Sequence, residues 1–313
     1  MRSTSRTPQL TRVYQNHHLD STRWELFEPR EGDVVVTTSY KAGTTWAQQI
    51  LLFLLRGSGE SMAELNRVSP WVDARFHCSR TQLAENLAKL PDRRFLKTHL
   101  PLDGLSWYPE LKYLVVARDP RDVFMSLLNH YGGYTETAFA ALNDTPGRIG
   151  DPLPACPKDP HALWRQWISR GWFEWESEGY PFWSNMHHTQ TYWEYRELPN
   201  FLFVHYADML LDLDAEVRRI ARFLEVAASD DLIAKTVEAT TFANVKQALG
   251  QVKREGPEFF RGGMQTFLFQ GTNGRWRDLL TREDLALYEQ AKARVLSADC
   301  AAWLERGRLA EPG

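Results

Sequence analysis

Cysteine is scarce in this chain: three among 313 residues, Cys78, Cys156 and Cys300, widely spaced and with no Cys-x-x-Cys. An odd, scattered set excludes a disulfide framework and a thiolate zinc site; it suits a reducing compartment, so a cytoplasmic protein is expected. The longest apolar run, Ile50–Leu55, is far too short to cross a bilayer. The first ten residues carry positive charge with no apolar stretch behind it, which argues against a signal peptide. Net charge is −3, so nucleic acid is not an expected partner and any anion site must be a local basic pocket. No repeat period is visible. His187-His188 is a poor metal pair, because adjacent side chains diverge on any regular element, and no metal is expected.

What is present is ordinary in bulk and uneven in detail. Apolar content of 43% and charged content of 25% fit a globular protein long enough to bury a large core. We expect a single domain over 1–313, with 1–31 as a polar arm laid on it. Six of the 12 tryptophans fall between Trp164 and Trp193.

The chain is organised around Thr37-Thr-Ser-Tyr-Lys-Ala-Gly-Thr-Thr-Trp46. Asp33–Thr38 before it is a β-branched apolar run, read as a buried strand. Trp46–Leu55 after it has no breaker and reads as a helix, stopped by Gly57-Ser-Gly59. A strand–loop–helix points free N–H groups and the positive end of a helix dipole at one spot, where an anion binds. Gly43 lets the backbone come close, Thr44 and Thr45 add hydroxyls, and Lys41 adds a charge. This is not the Gly-x-x-x-x-Gly-Lys-[Ser/Thr] nucleotide loop, because Lys41 precedes the only glycine. Alone, the stretch is as compatible with a βα turn bearing a stray lysine.

Three further stretches tip that balance. Phe95-Leu96 open a second strand that ends near Pro101, and Lys97 and His99, two apart, share a face at its carboxyl end. In open α/β sheets ligands gather there. Leu111–Ala117 is a third strand, ending in Arg118. Asp119 and Pro120 then cap and start a helix that carries Ser126 two turns in. Arg118 can fork onto a phosphate or pair with Asp119 or Asp122. Leu198–Tyr206 is a fourth strand. Asn66–Trp71 and Gly132–Asp159 read as loops, the latter long enough to cover a site, and His161–Tyr195 as aromatic and largely helical. Asp212–Leu224 and Asp230–Ala239 are helices. Residues 250–275 are glycine-rich with Arg254, Arg261 and Arg275, and helix closes the chain from Trp276. The fold class is α/β, with a mostly parallel sheet flanked by helices.

Together these stretches resemble the soluble PAPS-dependent sulfotransferases. Ser39-Tyr-Lys-Ala-Gly-Thr-Thr-Trp46 is similar to the family's 5′-phosphosulfate loop, and Lys97-Thr-His-Leu-Pro101 to the strand end that carries its catalytic histidine. Arg118-Asp-Pro-Arg-Asp-Val123 with Ser126 resembles its 3′-phosphate element. Gly271-Thr-Asn-Gly-Arg-Trp276 resembles its late Gly-x-x-Gly segment. The four occur in the family's order, with wording nearest to bacterial members. Two departures stand out. Tyr40 replaces the loop proline, and Phe269-Gln270 stand where Arg-Lys usually precede the late glycine. Arg261 is the expected substitute for that charge, with Gln270 as a neutral hydrogen-bond donor.

The resemblance implies a three-layer P-loop-like fold and transfer of a sulfuryl group from PAPS to a hydroxyl, leaving PAP. It implies His99 as base, with Lys41, Lys97 and Ser126 catalytic. Lys41, Ala42, Gly43, Thr44, Thr45, Arg118, Ser126, Arg261, Gln270 and Gly271 would hold the phosphates. Trp46 and Phe242 would sandwich the adenine, with Tyr206 and Thr240 bonding the base or phosphate. Trp71, Phe76, Tyr131 and Tyr134 are candidates for the acceptor pocket, under a cover formed by 132–195. A small or lipid-linked hydroxyl compound is the expected acceptor. Two rivals remain: a kinase using Mg-ATP, opposed by the misplaced lysine and the want of a metal carboxylate, and a silent PAP-binding module, opposed by the presence of both Lys41 and His99.

Overall fold

The computed structural model describes residues 7–57, 65–252 and 256–309. Gly59 and Arg254 lie outside them. Four strands, β1 (Val34–Thr38), β2 (Phe95–Thr98), β3 (Lys112–Ala117) and β4 (Phe201–His205), form one sheet in the order β2-β1-β3-β4. All three pairings are parallel, with Thr37 opposite Thr98, Thr38 opposite Val116 and Ala117 opposite His205. The four carboxyl ends therefore share one edge.

Parallel strands need crossovers, and the helices that supply them bury both faces. Side chains alternate across β1. Val34 and Val36 pack with Leu114, Val116 and Val204 against Ile50 and Leu51 of the helix Thr44–Arg56, and against Val217, Ile220 and Ile233. Val35 packs on the opposite side with Leu96, Tyr113 and Val115. Phe124, Trp164, Trp167 and Met186 cover that face, from the helices Pro120–Gly132, Pro160–Ser169 and Asn185–Trp193. The result is three layers. Gly57 ends the first helix at φ 72°, a left-handed cap that favours glycine. Asp119 caps the helix after β3, its carboxylate accepting from Arg121 N–H, with Pro120 in the first turn.

Several sequence expectations change. Gly132–Asp159 is not a plain loop: Thr135 caps a helix over Glu136–Asn143. The stretch His161–Tyr195 is helical only at its ends, because residues between Arg170 and Ser184 fold as bends around buried Glu176 and Glu178. Asn66–Trp71 starts with a single helical turn, Leu65–Val68, and ends with Trp71 bridged in parallel to Lys97. The segment after Thr240 is a helix, Phe242–Gly250, capped by Thr241. The N-terminal arm is not merely polar, for Tyr14, Leu19, Trp24 and Phe27 are buried.

At the amino end of the sheet Arg94 meets Asp33, both almost without exposed surface, and also donates to Leu87 O and Glu28 O. Asp33→Ala strands a buried guanidinium, and removing one partner of such a pair costs about 3–5 kcal/mol. Urea unfolding should show a loss of that size, while a change near zero would mean that solvent reaches Arg94.

Candidate active site

The carboxyl edge of the sheet opens on a cavity of about 880 Å³. The anion loop forms its floor. Lys41 adopts φ 60° and Gly43 φ 116°, and a Cβ on Gly43 would lie 3.0 Å from the Tyr206 ring, so the loop hugs β4's exit. Thr38 Oγ1 and Thr44 Oγ1 bond at 2.6 Å, tying strand end to helix start. Thr45, Trp46, Lys97, Arg118, Ser126, Tyr206, Phe242, Gln270 and Gly271 also face the cavity.

His99 follows β2 directly. Its Nδ1 lies 2.7 Å from Thr38 O. A carbonyl only accepts, so Nδ1 carries the proton and Nε2 carries a lone pair. Burial, with Lys97 nearby, holds the imidazole neutral, well below its ordinary value. Asp73 fixes the backbone here: its Oδ2 accepts from His99 N at 3.1 Å and from Trp71 Nε1 at 2.7 Å. Trp71 lies edge-on to His99, ring centres 4.7 Å apart, and takes the Lys97 ammonium on its face at 4.2 Å. Burial lowers Lys97 to about 8.

Lys41 Nζ sits 3.3 Å from both His130 Nδ1 and Phe267 O and over the Phe267 ring. Burial first, then the charges of Lys97 and Arg118, bring it down to about 7. Arg118 does not pair with the neighbouring carboxylates: Arg121 takes Asp119, at 2.6 Å. Arg118 instead donates to Thr272 O and Asn273 Oδ1, at 2.9 and 3.0 Å, and stacks on Tyr206. Gly274 N donates to Asp122 at 2.7 Å, so the late glycine segment is pinned over the 118–122 turn.

Four candidates stand off the cavity wall among the described residues. Tyr131 is buried and donates to Pro154 O, which turns it away from the acceptor side. Arg261 is exposed, and its guanidinium donates to Gly132 O. Thr240 is buried, and its carbonyl accepts from Trp46 Nε1 at 2.6 Å. Ala42 points its methyl into the core, which leaves only backbone to serve a ligand. Trp46 and Phe242 stand at 71°, not parallel, because Trp46 packs on Tyr206 and Gly271 lies on Phe242, where a Cβ would fall 2.5 Å from the ring. Gln270 reaches the wall, as do Trp71, Phe76 and Tyr134. Sequence reasoning missed Asp73, His130 and His18, which no spacing marked.

A neutral imidazole with a free lone pair, amines held near neutrality and an apolar chamber are the apparatus of group transfer from an anionic donor to a neutral nucleophile. A family profile described as the sulfotransferase domain matches residues 31–297, and the chain belongs to that family of PAPS-dependent enzymes. A glycolipid sulfotransferase of Mycobacterium bovis is 27% identical over 310 residues, covering 95% of this chain and 94% of the relative. Retinol dehydratase in complex with androsterone and inactive cofactor PAP superposes with a TM-score of 0.67 and 24% identity, over 88% of this chain and 84% of that one. A mouse sulfotransferase complexed with PAP gives 0.67 and 19%, over 94% and 98%. Both share the three-layer fold. Among the described residues no group of side chains could hold a metal ion, and no helix is long and apolar enough to cross a membrane.

An anion beside Lys41 raises its pKa above the starting value of about 7. At pH 8, where the phosphates of PAP, with second pKa values of about 6, are already ionised, binding should therefore draw close to one proton from solution. Calorimetry in buffers of different ionisation enthalpy measures it. Lys41→Met should remove the larger part of the uptake, leaving the smaller share of Lys97, itself lowered to about 8, and an unchanged value there would place the proton elsewhere.

Proposed function

We propose that His99 Nε2 is the general base in sulfuryl transfer from PAPS to a hydroxyl of a small or lipid-linked acceptor, within a cytoplasmic enzyme. The observation that carries this reading is the commitment of Nδ1–H to Thr38 O, which leaves Nε2 as the free nitrogen at the cavity. As the acceptor oxygen attacks sulfur, its proton passes to Nε2. The bond from sulfur to the 5′-phosphate oxygen breaks, and the charge that gathers there meets Lys41, Lys97 and the N–H groups of Gly43, Thr44 and Thr45. One such donor is worth roughly 2.7–4 kcal/mol. Arg118 and Ser126 hold the 3′-phosphate, with Gln270 as a neutral donor beside it. The donor set fits an ion with two separated phosphates: two amines and a threonine-rich loop at one pole, a guanidinium and a hydroxyl at the other.

The acceptor side is aromatic. Trp71, Phe76, Tyr134, Trp183, Phe259 and Phe260 line it. Tyr134 and Trp183 come from the span 132–195, which supports that span as the acceptor-side wall of a single domain. The glycolipid relative favours a lipid-linked acceptor, and an apolar chamber suits one.

His99→Ala should cut transfer about 10²–10⁴-fold, the usual worth of a positioned base, and leave PAP affinity nearly intact. A variant with near-full turnover would remove His99 from the chemistry. Calorimetry of PAP against ADP and Mg-ATP separates the donor from the kinase alternative, since preference for Mg-ATP would reject the two-phosphate site. The pH profile has a stated sign. His99 must be neutral, and its lowered pKa puts the acid limb of kcat/KM well below 6.5. Lys41 must be charged, so in the free enzyme kcat/KM should fall above about 7. The alkaline limb of kcat should lie higher, because the bound donor holds the lysine's proton.

A further inference from the structure

The N-terminal arm delivers a second imidazole to the acceptor cavity, His18. The arm is fixed there. His18 N donates to Asn16 Oδ1 at 2.8 Å, its carbonyl accepts from Arg75 N at 2.9 Å, and Leu19 bridges Ala74. The ring packs among Phe76, Phe182 and Trp183 and keeps 3% exposure, on the cavity wall.

The tautomer of His18 follows from its neighbours. His17 Nε2 lies 2.8 Å from Pro181 O. A carbonyl accepts only, so His17 Nε2 carries a proton. Burial keeps His17 neutral, lowered to about 3, so its Nδ1 carries a lone pair. The Nδ1 atoms of His17 and His18 are in hydrogen-bond contact. His18 Nδ1 must therefore be the donor. Burial holds His18 neutral as well. Its Nε2 is thus a bare lone pair, with no hydrogen bond to any described residue, and the atom is not wholly enclosed. It opens to the cavity.

Two lone-pair nitrogens therefore face one apolar chamber, His99 Nε2 and His18 Nε2. Both rings lie 5.7 Å from the indole of Trp183, so both flank one flat side chain. His99 is committed to the reacting hydroxyl. A second acceptor atom in an aromatic wall is costly when unpaired and selects a ligand that brings a donor. We propose that His18 is a specificity-determining residue whose Nε2 accepts a hydrogen bond from a second hydroxyl of the acceptor. The enzyme then prefers rigid, flat diols over mono-hydroxyl compounds of the same skeleton. This inference rests on the acceptor-side reading of the cavity.

The test uses the full chain saturated with PAP and two probe pairs, 2-naphthol with 2,6-dihydroxynaphthalene, and 4-hydroxybiphenyl with 4,4′-dihydroxybiphenyl. Binding is read by calorimetry, so turnover is not required. One hydrogen bond should make at least one diol bind roughly 3–10-fold tighter than its partner, beyond the factor of about two for its two equivalent ends. His18→Phe keeps an aromatic ring but removes the lone pair. It should erase that preference while the mono-hydroxyl affinity is kept or rises, because no acceptor is then left unpaired, and the PAP affinity stays at its wild-type value. His18→Gln restores an acceptor oxygen and should recover part of the preference. Equal diol preference in wild type and His18→Phe overturns the inference. So does binding of neither probe class, or an equal loss for both probes with PAP affinity kept, which marks a merely structural residue. Failure of the wild type to bind PAP at all would reject the donor-site reading instead.

Discussion

A parallel ladder gives a protein only one edge on which strands can finish. β1 lies between β2 and β3, with Thr37 level with Thr98 and Thr38 level with Val116. That register is what lets Thr38 O reach the ring that follows β2. Had β2 slipped by one residue, its side chains would have exchanged faces, and His99 would have lost the carbonyl that sets its tautomer. The base, the anion loop and Arg118 are thus held at spacings fixed by backbone hydrogen bonds. The loops inherit this rigidity, and Asp73 extends it by holding the His99 backbone and the Trp71 indole together.

Burial does the electrical work. Desolvation is the largest influence on Lys41, Lys97, His99 and His130 alike, and in each it disfavours the charged form. The same cause has different results because the starting points differ. The histidines become firmly neutral, which suits a base. The amines come to rest near neutrality, where a nearby anion can recharge them. The cavity therefore presents a modest standing charge and answers a ligand by taking on more.

The sequence displayed the backbone skeleton well and the acceptor wall badly, for physical reasons. Val34–Thr38 and Lys112–Ala117 are buried on both faces, so they appear as continuous β-branched and apolar runs. Gly43, Asp119 and Pro120 announce a turn and a cap by steric rules that act within a few residues. The same locality made Lys41, His99, Arg118 and Ser126 recognisable, since each lies at a strand end or early in a helix. Nothing local shows where a side chain on a helix or glycine-rich turn, such as Tyr131 or Arg261, will find its partner. Pro154 O and Gly132 O decided it. The angle between Trp46 and Phe242 is set by tertiary packing, through Tyr206 and Gly271. His18 and Asp73 reach the site only through the fold, across dozens of intervening residues.

The walls of the chamber and its chemical floor come from different stretches of chain. The floor is made of sheet ends and the helix starts behind them. His18, Phe76, Trp183 and Phe259 come from the N-terminal arm and from the connections between strands. Replacing a wall residue leaves the strand register and the Thr38–His99 bond untouched. Such a division lets mutation redraw the range of compounds modified without rebuilding the catalyst. Lineages descending from one ancestor can then diverge in diet while keeping the same engine.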